Sequence, residues 1–161
     1  MATWIHKSNA VPAKPGLLIV GGDRDVWRRL AAVFANSGYT VAVTSSAPEA
    51  VADVLRGDTR VVLVDKELDG CRVGELVPLL KRCNPFLSII LVSGDTPVPL
   101  LRKLRREGLF YHALQPSSVE DLEEIRQAVS CAFDSRPVRY AEGQALRRTA
   151  KSPCEGERRE S

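Results

Sequence analysis

The sequence predicts an α/β domain: a doubly wound, five-stranded parallel sheet with helices on both faces, a three-layer sandwich. Three observations predict it. From Gly16 to Phe133, short continuous apolar runs alternate with stretches of helical periodicity, the pattern of strands buried on both faces by crossover helices. Four of the runs end in a polar or glycine-rich corner, LLIV before Gly21-Gly22, VVLV before Asp65, IILV before Ser93-Gly94 and YHAL before Gln115-Pro116. In a parallel sheet such corners gather at the carboxyl edge, where α/β proteins place their chemistry. Length and composition fit a single domain with tails, at 161 residues, 44% hydrophobic and 27% charged.

The elements follow in order. Leu17–Val20 is the first strand, and a helix from about Asp25 to Ser37 carries Val26, Leu30, Val33 and Phe34 on one face and Arg28 and Arg29 off it. Gly38 stops that helix. Tyr39–Thr44 is rich in β-formers, and Ser46-Ala-Pro-Glu49 reads as a capping box that opens a helix burying Val51, Val54 and Leu55. Val61–Val64 is uniformly apolar, hence a central strand. After the loop Asp65–Gly70, a helix from about Val73 to Cys83 turns Leu76, Val77 and Leu80 inward and ends at Asn84-Pro85. Leu87–Val92 is the fourth strand. The helix over roughly Pro99–Glu107 is arginine-rich and thinly apolar through Leu100, Leu101 and Leu104, and Gly108 terminates it. Phe110–Leu114 is the fifth strand, and Ser117-Ser-Val-Glu120 is a second capping box, before a helix with Leu122, Ile125, Val129 and Phe133 inward. Right-handed crossovers wind these units into the sandwich.

Residues 16–133 form the predicted domain, 1–15 a flexible amino-terminal segment and 134–161 a flexible tail whose Arg, Glu and small residues lack apolar periodicity. A net charge of +3 falls short of the concentrated basicity of a nucleic-acid binder, and glutamates interleave the tail arginines, so nucleic-acid binding is not expected. No run approaches membrane-spanning length and the first residues lack the apolar core of a signal peptide, so a cytoplasmic protein is expected. The four cysteines show no C-x-x-C pair, which suits reduced thiols rather than a disulfide framework.

The alternation, with Asp65 ending the third strand, Ser93 ending the fourth and the Gln115-Pro116 step after the fifth, resembles the receiver domain of bacterial two-component response regulators. LIVGGDRDVWRRL resembles that family's first strand and helix, and VLVDKELDG its phosphoacceptor loop. The resemblance covers Gly16 to Phe133 and implies a flavodoxin-like fold with strand order 2-1-3-4-5. It makes Asp65 the candidate phosphoacceptor, Glu67 the donor of a backbone carbonyl to Mg²⁺, and Ser93 the hydroxyl that reads out the phosphoryl group. His112 falls on the family's switch-aromatic position. The acidic pair that holds Mg²⁺ falls on Gly21 and Gly22, and the lysine that pairs with the phosphoryl oxygens falls on Gln115.

These departures point to a degenerate site. Transfer of a phosphoryl group to a carboxylate rests on positioning and on cations that neutralise charge, and Mg²⁺ takes hard oxygen ligands, usually with carboxylates among them. Asp65 is the one matched carboxylate. Asp23 enters the pocket only if the first strand slips in register; otherwise it caps the first helix. GGDRDV is neither G-x-G-x-x-G nor a P-loop, so nucleotide binding is not expected. The exposed arginines Arg102, Arg105 and Arg106 lie on the fourth helix, which with the fifth strand and fifth helix forms the family's common docking side.

The expected function is therefore a stand-alone atypical receiver, not an enzyme, needing no cofactor and working by contact with a signalling protein such as a histidine kinase or a regulator. It is expected as a monomer or as a weak dimer through the docking side. Two alternatives stand beside it. One is a phosphorylatable single-domain regulator or phosphorelay intermediate using Asp65 with Mg²⁺. The other is a flavodoxin-like module that binds a small ligand at its glycine corner.

Overall fold

The computed structural model describes residues 3–5, 16–21, 25–68 and 70–135. Five parallel strands form its centre: β2 (Gly16–Val20), β3 (Thr40–Thr44), β4 (Thr59–Asp65), β7 (Ser88–Val92) and β8 (Leu109–Ala113). They lie in the order β3-β2-β4-β7-β8. Counting parallel strands alone, this is the expected 2-1-3-4-5 order. The strands alternate with helices α1 (Asp25–Asn36), α2 (Ala47–Arg56), α3 (Val73–Cys83), α4 (Val98–Arg106) and α5 (Val119–Asp134).

Side chains alternate across the pleat, so each strand feeds two cores. Leu17, Ile19, Val61 and Leu63 pack on one face with Trp27, Leu30 and Phe34 of α1 and Ile125 and Val129 of α5. Leu18, Val20, Val62 and Val64 pack on the other with Val54 of α2, Leu76, Val77 and Leu80 of α3 and Leu104 of α4. The central strands have no wet face, which explains why they read as unbroken apolar runs rather than as alternating ones.

Several details differ from expectation. Thr3–Ile5 form a strand, β1, antiparallel on the outer edge of β3, with Thr3 opposite Val43 and Ile5 opposite Val41. That corrects the expected flexible segment at those residues: three residues are too few for periodicity to register, but enough for a ladder on an edge. The loop after Asp65 holds a small hairpin of β5 (Glu67–Leu68) and β6 (Cys71–Arg72). Gly70 stands at its turn with φ of 71°, in the left-handed region that glycine enters without steric cost.

On α2 the inward stripe is rotated. Leu55 is exposed and Asp53 is buried, with Arg56 as its ion-pair partner. The first capping box closes at its Ser46 end, where Oγ accepts from the Glu49 amide at 3.3 Å. Glu49 Oε1 instead accepts the Thr44 hydroxyl at 2.7 Å. The second cap moves by one residue: Ser118 Oγ accepts from Asp121 N at 3.2 Å, while Asp121 Oδ2 accepts the Ser117 amide and hydroxyl at 3.0 Å. An aspartate fills the reciprocal role expected of Glu120. Cys71 and Cys83 are free thiols, whereas Cys131 is disulfide-bonded. That corrects the expectation of reduced thiols throughout; a single bridge leaves no spacing signature. None of the described helices is long and apolar enough to cross a membrane. The expected tail beyond residue 135 lies outside the described residues, as do the remaining residues of the first fifteen.

Candidate functional site

The strand ends that the sequence singled out do meet at the carboxyl edge of the sheet. Asp65 closes β4 opposite Val92 of β7, and Ser93 extends the next ladder by donating its amide to Ala113 O at 3.0 Å. Gly21 continues β2 with its amide on Thr44 O, also at 3.0 Å. Gln115 follows β8 as a half-buried residue on the way to α5. Gly22 and Asp23 lie outside the described residues.

The centre of this edge is occupied by a side chain that the sequence reading passed over. Trp27, in the first turn of α1, is 1% exposed, and Asp65 is 3% exposed. The indole Nε1–H donates to Asp65 Oδ2 at 3.2 Å. Buried carboxylates are costly unless hydrogen-bonded, and in a water-excluded site such a bond counts for more than at the surface. The ring also covers Gly21. A Cβ built on that glycine would fall 2.7 Å from Trp27 Cε2, 2.8 Å from Cδ2 and 2.9 Å from Nε1, closer than real side chains approach. The glycine corner is thus filled at Gly21.

Ser93 is engaged elsewhere. Its buried hydroxyl contacts Thr96 Oγ1 in the β7–α4 connection and lies 3.1 Å from His112 Nε2 on β8. His112, expected at the switch-aromatic position, is therefore a half-buried imidazole tied to the Ser93 hydroxyl. Lys66, beside Asp65, donates its ammonium to the Asp95 carbonyl. Glu67 opens β5 and is paired in register with Arg72. On α4, Arg102, Arg105 and Arg106 are exposed, while Lys103 is drawn back to α3 by a 2.7 Å bond from Nζ to Gly74 O.

The described residues do not fit a divalent cation at Asp65. The position expected to supply a carboxylate has no side chain, and the space where one would project is held by an indole that is itself a donor. Among the described residues no group of three or more His, Cys, Asp and Glu side chains is placed to hold a metal.

His112 makes the site sensitive to pH. Burial pushes its pKa below the usual histidine value, the Arg105 guanidinium pushes the same way, and Glu124 and a backbone hydrogen bond at Ser93 oppose them. The unfolded chain then takes up a proton near pH 6.5 while the folded chain stays neutral. Stability is accordingly full above that pH and is lost as pH falls through the window below it. Melting temperatures from about pH 7.5 to 5 should show this decline, and His112→Gln should flatten it; an unchanged profile in the variant would remove His112 from the account.

No family model matches the chain. A curated relative, the C4-dicarboxylate transport transcriptional regulatory protein DctD of Rhizobium meliloti (strain 1021), is 26% identical over 144 residues, which cover 89% of this chain. The chain spans 30% of that relative's length. Among solved structures, the CheY-like response regulator receiver domain protein of Methanospirillum hungatei JF-1 aligns over 76% of this chain and 98% of its own, with a TM-score of 0.66 and 20% identity. The signal receiver domain of an HD domain-containing protein from Pseudomonas fluorescens Pf-5 aligns over 80% of this chain and 96% of its own, with a TM-score of 0.65 and 22% identity. The chain has the flavodoxin-like fold of CheY-like receiver domains.

Proposed function

We propose that this chain is a receiver-fold module of bacterial two-component signalling that acts in the cytoplasm by contact with another signalling protein, without magnesium-dependent phosphorylation of Asp65. The observation that carries this reading is the Trp27 indole seated on the Asp65 carboxylate. A phosphoacceptor needs its carboxylate open to an incoming phosphoryl group and cations around it to neutralise the charge that develops. Here Oδ2 of the carboxylate accepts from a neutral donor, the acidic position is Gly21 and the lysine position is Gln115. Losing one preorganised electrostatic donor typically removes roughly 2.7–4 kcal/mol of transition-state stabilisation, and this site lacks more than one.

Incubation of the full chain with acetyl phosphate and millimolar magnesium chloride tests the reading. The expected result is no mass increment of a phosphoryl group, together with a melting temperature that magnesium leaves unchanged, since an ion that binds the folded state would raise it. A phosphoryl increment that disappears in Asp65→Asn would instead make the chain a phosphorylatable regulator.

A further inference from the structure

We propose that Ser93, Thr96 and His112 form a proton-linked relay: protonation of His112 reverses a chain of hydrogen bonds that ends at the start of α4 and sets a like charge against the last turn of that helix. The inference goes beyond the reading just given and does not depend on it.

Hydrogen-bond polarity supplies the first argument. Ser93 Oγ stands between two partners, His112 Nε2 at 3.1 Å and Thr96 Oγ1. A hydroxyl has one hydrogen to donate, and Ser93 is buried, so that hydrogen goes to one of the two. With a bare Nε2 on the neutral ring, Ser93 donates to the imidazole and accepts from Thr96. The imidazolium has no acceptor: its Nε2–H donates to Ser93, and Ser93 turns its own hydrogen to Thr96. Both hydroxyls rotate while the backbone stays where the ladder holds it, with the Ser93 amide on Ala113 O.

Position and charge supply the second. Thr96 immediately precedes Pro97, the N-cap of α4, which has no side-chain cap there and Leu104 as its one buried residue, whereas serines cap α2 and α5. A helix with so few buried contacts responds to a small bias. β8, which carries His112, lies against β7, α4 and α5. From β7 the imidazole meets the Ser93 hydroxyl and a backbone hydrogen bond at Ser93, from α4 the Arg105 guanidinium, and from α5 the Glu124 carboxylate, which also accepts the Tyr111 hydroxyl at 2.7 Å. A proton on His112 therefore repels α4 and attracts α5. The reversed hydrogen bonds act at the start of α4 and the repulsion at its last turn, so a charge taken up beneath the helix bears on both of its ends.

Titration of the full chain by nuclear magnetic resonance from about pH 7.5 to 4.5 tests the relay. The ring nitrogen shifts of His112 are expected to show a bare Nε2 at the upper end, and the amides of Thr96, Val98 and Leu100 at the start of α4 to move with the midpoint of the imidazole. In Ser93→Ala the imidazole should titrate while those amides stay still. In Arg105→Gln its midpoint should rise, because a like charge is gone. An Nε2–H on the neutral ring, amide midpoints that differ from that of the ring, amide shifts that survive Ser93→Ala, or an unmoved midpoint in Arg105→Gln would each overturn the relay. Should Ser93→Ala fail to fold, the ring tautomer and the shared midpoint in the unaltered chain decide. Phosphoryl labelling of Asp65 would overturn the earlier reading and leave the relay untouched.

Discussion

Trp27→Ala is expected to remove about 3–5 kcal/mol of folding free energy, the usual cost of truncating a large buried aromatic. Trp27 is among the largest fully buried side chains and packs with Leu17, Leu30 and Phe34 in the core between the sheet and helices α1 and α5. Truncation opens a cavity and takes one donor from the buried Asp65 carboxylate, which adds to the cost. Against a typical domain stability of about 5–15 kcal/mol, the variant should be at the margin of folding. Asp65→Asn, which keeps an acceptor oxygen of the same shape, should cost far less. Urea unfolding measures both; a loss below about 1 kcal/mol for Trp27→Ala would mean that the indole is not packed as described.

Charge reversal at Arg105 and Arg106 should produce the largest functional effect. Both are exposed on α4, so their reversal should change stability by no more than about 0.5 kcal/mol. If the module works by docking through this helix, the change should weaken partner capture by at least about thirtyfold, the equivalent of one interface hot spot of 2 kcal/mol. Asp65→Asn should leave capture intact, because a module that is not phosphorylated has no activated state to lose. Parallel pull-downs from native lysate with each variant as bait compare them directly. Loss of capture in Asp65→Asn together with retention in the arginine variant would place the working element at the phosphoacceptor instead.

The fold was legible because the strands are buried on both faces. Val61–Val64 and Leu87–Val92 could hardly be read as anything but central strands, and α3 falls on the predicted residues, Val73–Cys83. The positions of Asp65 and Ser93 followed from the ends of those runs. The occupant of the site was harder to read, for a reason of helical phase. Taking Val26 and Val33 as the inward stripe of α1 placed its face a few tens of degrees from where it lies, whereas Trp27, Leu30, Ala31 and Phe34 are the buried set. That set has the i, i+3, i+4, i+7 spacing of an amphipathic face, so the signal was present. It was obscured because valine weighs as heavily as tryptophan when positions are merely sorted into apolar and polar. The bond between Ser93 and His112 depends on the register of β8 against β7, where a shift occurs between Ile89 and Ile90, and single-strand periodicity carries no information about such pairing.

The short strand β1 has a topological consequence. A parallel sheet with two bare edges can be extended at either one, and each row of unpaired amides and carbonyls is a template for another chain. By running antiparallel along β3, Thr3–Ile5 leave a strand of three residues as the edge on that side, and a very short edge strand is a poor template. Among the described strands β8 is left as the outer rail of the sheet at the other end, between the cationic α4 and the acidic first turn of α5 with Glu120 and Asp121. The longer edge is therefore the one at β8, and a strand that approaches it meets a cationic helix on one face and an acidic helix turn on the other.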